Sequence, residues 1–109
     1  MINQLNCHDT IAGMPTVFNV EVAGDLSAKI QFVVSGEEPG AYYLDISAGA
    51  CSFHEGEADS PSLTVKTPSE IWLSISRGEM EGQTAFMQQK YTVEGDFALL
   101  MKLDSLFKS

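Results

Sequence analysis

Two clusters in this chain have the residue types of a metal site: the pair Cys7-His8, and Cys51 with His54 three positions on. A structural zinc takes four converging ligands in a tetrahedron. Side chains on a strand alternate between faces, so an odd separation sends Cys51 and His54 to opposite sides. Cys7 and His8 are adjacent near the start of the chain, a poor frame for two ligands of one ion. No metal is expected. For nucleophilic catalysis a base must sit within hydrogen-bond reach of its nucleophile. His8 and His54 are the only histidines, and neither stands in a recognisable nucleophile motif. Asp45 alternates onto the face opposite Leu44 and Ile46. Enclosed, it would serve as a general base or anchor a polar head; a carboxylate on a half-exposed strand is the plainer reading. No catalytic residue and no cofactor is assigned.

The elements that must position these residues follow from period and punctuation. Residues 28–35 alternate, with Ile30, Phe32 and Val34 on one face and Lys29, Gln31 and Val33 on the other. The turn formers Gly36, Pro39 and Gly40 make a hairpin loop. Residues 41–47 return, Ala48-Gly49 turns tightly, and residues 50–55 form a third strand. After a polar loop at 56–61, residues 62–67 form a fourth strand with Leu63 and Val65 inward. Connections this short predict antiparallel neighbours, in a mostly antiparallel sheet. A fifth strand, 90–95, carries Tyr91 and Val93 on one face.

Helices stand before, between and after these strands. Asp9 or Thr10 can cap a short early turn, which Gly13 and Met14-Pro15 interrupt because the residue before proline avoids the α region. A second short helix or turn falls within 15–26 and ends at Gly24-Asp25. Thr67-Pro68-Ser69-Glu70 reads as a capping box with Thr67 as N-cap. Ile71, Trp72 and Ile75 then share a face, and Gly78 stops the helix. Residues 83–89 form a short helical piece with Ala85, Phe86 and Met87. Asp96 caps a terminal helix, 97–107. Leu99, Leu100, Leu103, Leu106 and Phe107 make a broad apolar stripe on it, which Phe97 and Met101 widen. Lys102 and Ser105 mark the wet side, and Asp104 and Lys108 are spaced for an i,i+4 ion pair. So wide a greasy surface needs a second apolar surface to satisfy it, such as a filled cavity or a partner subunit.

Composition limits the function. The 109 residues suit one domain spanning 1–109. Six Lys and Arg against 15 Asp and Glu give a net charge of −9. That balance opposes sequence-independent nucleic-acid binding and docking on anionic lipid. The acids, among them Glu37, Glu38, Glu55, Glu57, Asp59, Glu79 and Glu81, are scattered over turn-like stretches and read as a solvated surface. No apolar run approaches the ~18 residues of a membrane span, so stable membrane insertion is not expected. The N-terminus lacks the order of a secretory signal. The two cysteines read as free thiols in a reducing, cytoplasmic setting. Phe107-Lys108-Ser109 is not the Ser-Lys-Leu address.

The stretch 83–107, QTAFMQQKYTVEGDFALLMKLDSLF, resembles the C-terminal signature of the sterol carrier protein type 2 family, and in particular its short bacterial members. The matching positions are Thr84-Ala85-Phe86-Met87, then Lys90, Val93 and Gly95, then Leu99, Met101-Lys102-Leu103 and Leu106. Met14-Pro15, Phe18-Asn19, Ile30-Gln31-Phe32 and Tyr43-Leu44 are similar upstream. The early helix is shorter than in longer members, and Asp104 stands where glutamine is common. The resemblance implies an α+β fold: a five-stranded, mostly antiparallel sheet covered by helices, with an apolar tunnel between them. It implies non-enzymatic binding and carriage of a fatty acid, fatty acyl-CoA, sterol-like molecule or phospholipid. The tunnel lining it points to is Ile30, Phe32, Val34, Trp72, Ile75, Phe86, Met87, Val93, Leu100, Met101, Leu103, Leu106 and Phe107. Met14 and Met80 are further candidates, since flexible thioethers suit ligands of variable shape. Plain core packing is the bland account of the same residues. The competing function is an interaction or dimerisation module, such as a homodimer, that buries the terminal helix without lipid.

Overall fold

A computed structural model describes residues 6–107, the side chain of Asp104 excepted. The start of the chain and the Asp104–Lys108 pair therefore lie outside the described residues. The strands are β1 (Ala28–Ser35), β2 (Gly40–Ser47), β3 (Ala50–Glu55), β4 (Leu63–Pro68) and β5 (Thr92–Gly95). They form one mixed sheet in the order β3-β2-β1-β4-β5. The helices are α1 (Cys7–Ala12), α2 (Val20–Ala23), α3 (Ser69–Ser76), α4 (Gly82–Met87) and α5 (Phe97–Leu106), with a 3₁₀ turn at Met14–Val17. This is the α+β arrangement of a mostly antiparallel sheet with helices packed on it.

The sheet is mostly antiparallel, as expected, and the exception is β4. That strand runs parallel to β1, with Ile30 opposite Leu63 and Val34 opposite Thr67. A parallel partner needs a long connection, and the whole β2–β3 hairpin lies between β1 and β4 in the chain. After β3 the segment 56–62 returns along the sheet to start β4. It is held by Gln31, a buried residue of the central strand. The Gln31 amide donates to the carbonyls of Tyr42 and Gly56, both at 3.0 Å, and its oxygen accepts from the Ala58 N–H at 2.6 Å. The Ser62 N–H then bonds the Lys29 carbonyl at 2.9 Å.

The opposite face of the sheet carries the closed core. Ile30, Phe32, Leu44, Ile46 and Leu63 are fully buried there, and Leu106 and Ile11 reach them from the helices. Thr67 does not cap α3, as the capping-box pattern predicts. Its pairing with Val34 keeps it extended in β4, so α3 begins one residue later, at Ser69, with Pro68 as an N-cap that makes no side-chain bond. Early in the chain, Asn6 rather than Asp9 or Thr10 caps α1, its side chain accepting from the Asp9 N–H at 2.7 Å. Asp96 caps α5 as the pattern predicts, accepting from the N–H groups of Ala98 and Leu99. The C-terminal end of α5 is tied down: the Asn19 N–H bonds the Leu106 carbonyl at 2.7 Å, and Phe18 and Phe107 form an isolated bridge.

Gly95 closes β5 at φ +109°, where a Cβ would sit 2.5 Å from the Ser62 carbonyl oxygen. Backbone is on both sides of that contact, so Gly95→Ala should destabilise the fold by about 1–3 kcal/mol. Gln31→Leu strands the return segment's polar groups and should cost about 2–4 kcal/mol. Urea midpoints at constant m-value measure both. A midpoint shift near zero for Gln31→Leu would show that the segment holds without it.

Candidate functional site

Between the helices and the sheet lies a cavity of about 800 Å³, within the ~300–1,000 Å³ common for small-molecule sites. β4 supplies Val65 to its wall. α3 lays its length along it through Trp72, Leu73, Ile75 and Ser76, positions that share a face at helical spacing. α4 adds Gly82, Gln83 and Phe86, followed by Tyr91. α5 adds Leu100, Met101 and Leu103, with Phe107 just beyond it. The 3₁₀ turn brings Met14 and Val17.

The wall is anchored by few polar contacts. The Trp72 indole N–H donates to the Thr10 hydroxyl at 2.8 Å, and that hydroxyl donates to the Cys7 carbonyl at 3.0 Å. Phe32 packs behind Trp72, with ring centroids 5.1 Å apart. Tyr91 donates its hydroxyl to the Gly82 carbonyl at 2.9 Å and sits against the Phe86 ring at 5.7 Å. Asp9 and Glu38 border the cavity from α1 and the β1–β2 loop, and Arg77 borders it where α3 ends.

Of the residues expected to line a tunnel, Trp72, Ile75, Phe86, Leu100, Met101, Leu103 and Phe107 meet around this cavity. Ile30, Phe32, Val34 and Leu106 lie in the closed core instead. Val93 is partly buried on β5, and Met87 is 81% exposed on α4. Of the added candidates, Met14 is on the wall and Met80 packs against the core. Leu73, Val65, Val17 and Tyr91 were not anticipated. Leu73 shares the wall face of α3 with Trp72 and Ile75, a pattern open to reading. Val17 had no signal, because only the folded chain brings the 3₁₀ turn to α5.

The clusters with metal-ligand residue types do not assemble. Cys51 is half-buried on the helix side, while His54 is exposed on the other face, stacked on Tyr43 at 4.9 Å. No group of three His, Cys, Asp or Glu side chains converges among the described residues. Burial pushes the thiols of Cys7 and Cys51 up to about 11, with Glu38 and Asp45 respectively adding to the effect. Both are poor nucleophiles near neutrality. Asp45 makes no approach to the cavity wall.

His8 holds α1 against the β2–β3 edge. Its ring meets Tyr42 at 5.5 Å and Phe53 at 5.3 Å, both edge-on. Nε2 is 3.0 Å from Glu55 and Nδ1 3.3 Å from Asp9. Those bonds, that to Glu55 first, raise its pKa above the ordinary 6.5. The stabilisation is therefore fully present below 6.5 and fades as pH rises through the higher folded value. In an NMR titration His8 should titrate above 6.5, and Glu55→Gln should move it down. An unshifted His8 pKa in that variant would remove Glu55 as the cause.

A mostly antiparallel five-stranded sheet with helices packed on it defines the class: small α+β domains. Within that class the chain belongs to the SCP-2 sterol transfer family, whose pattern matches residues 20–108. It is 28% identical over 99 residues to hydroxysteroid dehydrogenase-like protein 2 of Xenopus tropicalis, covering 90% of this chain and 24% of that protein. The chain thus spans about a quarter of the length of such relatives. Its fold matches palmitated SCP2L2 from Aedes aegypti, with a TM-score of 0.76, 19% identity and 96% of each chain covered. It also matches a double mutant of the sec-alkyl sulfatase PisA1, with a TM-score of 0.83 and 18% identity. That match covers 96% of this chain and 17% of the sulfatase, an enzyme of Pseudomonas sp..

Proposed function

We propose that residues 1–109 are one lipid-binding domain that carries a hydrophobic ligand in the cavity without transforming it. The observation that carries this reading is the cavity itself, walled by Trp72, Leu73, Ile75, Phe86, Leu100 and Leu103 beside α5. Two Aedes aegypti structures of the family are described as palmitated or in complex with palmitate. A fatty acid, acyl-CoA, sterol-like molecule or phospholipid would each gain about 0.8 kcal/mol per CH₂ removed from water, less the cost of ordering. Apolar contact separates ligands poorly by single methylenes.

On this reading the cavity is the family's tunnel, and its mouth lies between α4 and α5. The far end of α5 is bonded to residues 18 and 19. The near end is exposed at Phe97 and Met101, and Met87 of α4 is exposed as well. A 3.8 Å contact from the Gln83 amide to the Met101 sulfur and the Phe86–Phe97 ring pair at 6.1 Å cross that gap. Free thiols at Cys7 and Cys51 fit a cytoplasmic carrier. The rival reading, a docking or dimerisation module, draws on the same exposed residues and on the much greater length of the relatives.

Native mass spectrometry of protein purified without delipidation should show a co-purified lipid. A fluorescent fatty acid should bind at micromolar concentration, and Leu100→Asp or Leu103→Asp should weaken it about tenfold or more. A lipid-free protein that ignores the probe, yet forms a dilution-stable dimer by light scattering, would decide for the rival.

A further inference from the structure

We propose that the cavity binds single-chain carboxylates in one orientation, with the head at Arg77 and the tail toward the 3₁₀ turn. This rests on the lipid-binding reading and assigns its polar subsite.

Arg77 is the one cation on the cavity wall among the described residues; Lys29, Lys66, Lys90 and Lys102 all lie off it. It follows α3 directly, next to the exposed Ser76 in the chain, and the exposed Gln83 of α4 also lines the cavity. These three exposed polar side chains belong to the lining that α3, α4 and the residue after α3 contribute. Below them, Ile75, Phe86 and Leu100 continue the apolar surface inward.

The guanidinium is only loosely committed. Its partner is Glu79, two residues on, with Nε to Oε2 at 3.1 Å and Nη2 to Oε1 at 3.4 Å. Both side chains are more than half exposed, and such pairs are worth little. Arginine has five N–H donors in a planar fork, and Glu79 engages two of them. The remaining edge can take a carboxylate side by side, the geometry in which arginine binds most strongly.

The lining near the start of α3, where α1 bonds Ser69 and Trp72, disfavours the reverse orientation. Asp9 and Glu38 border the cavity there, Asp9 held by His8 and Glu38 by the Cys7 N–H at 2.8 Å. A carboxylate at that end would meet two acids. Glu79 and Glu81 flank the Arg77 margin in sequence, so one negative charge fits there better than a cluster of phosphates.

Trp72 is the only tryptophan and lies on the wall, so its fluorescence reports binding directly. The test is titration of the full chain with oleate and with oleyl alcohol, which share a tail and differ in head. Oleate should bind more tightly at low salt. In Arg77→Gln the oleate-to-alcohol affinity ratio should fall about tenfold or more, and Glu79→Gln should raise it. Circular dichroism checks that each variant is folded. If Arg77→Gln weakens both ligands by one factor, or leaves the ratio intact, the subsite is wrong and the lipid-binding reading stands. If the wild-type chain binds neither ligand, both fall together.

Discussion

The side chain of Gln31 is the contact on which the architecture turns. A buried amide on a central strand would be costly without partners, and here its oxygen and nitrogen are taken up by backbone of β2 and of the returning segment. That segment must travel the length of the sheet before β4 can run parallel to β1. By fastening it across one face, Gln31 lets the fourth strand enter beside the first rather than beside the third. Everything after β4 inherits that position. α3 leaves the end of β4, α4 follows it, and β5 pairs with β4 on the outer edge. The cavity wall made by α3, α4 and α5 stands where it does because β4 does.

The terminal helix then resolves its excess of apolar surface in three ways. Leu99 and Leu106 enter the closed core. Leu100 and Leu103 face the cavity. Phe97 and Met101 stay about half exposed at its edge. A helix this greasy in so small a fold cannot bury its whole circumference. The second set borders a space of about 800 Å³ between the helices and the sheet.

Much of this was legible in the residues. The alternation of β1 and β2, the Asp96 cap and the apolar stripe of α5 are local patterns, and local sterics and hydrogen bonding largely decide them. The wall residues on α3, α4 and α5 were legible in part, because helical spacing shows which side chains share a face. Spacing does not show what that face meets. Leu106 and Leu103 belong to the same stripe, yet one seals the core and the other borders a space. Thr67 shows the limit from the other side. Its capping pattern is sound, but six parallel pairings between β1 and β4 hold it in the sheet.

The sequence alone determined the kinds of element and the acidic surface, since these depend on composition and on residues near one another in the chain. Tertiary structure alone decided the strand order, the parallel entry of β4 and the division of apolar residues between core and cavity. It also brought Arg77 to one margin of that cavity and Asp9 and Glu38 to another. Those outcomes depend on which distant segments meet, here the Gln31 amide with the returning segment and β1 with β4.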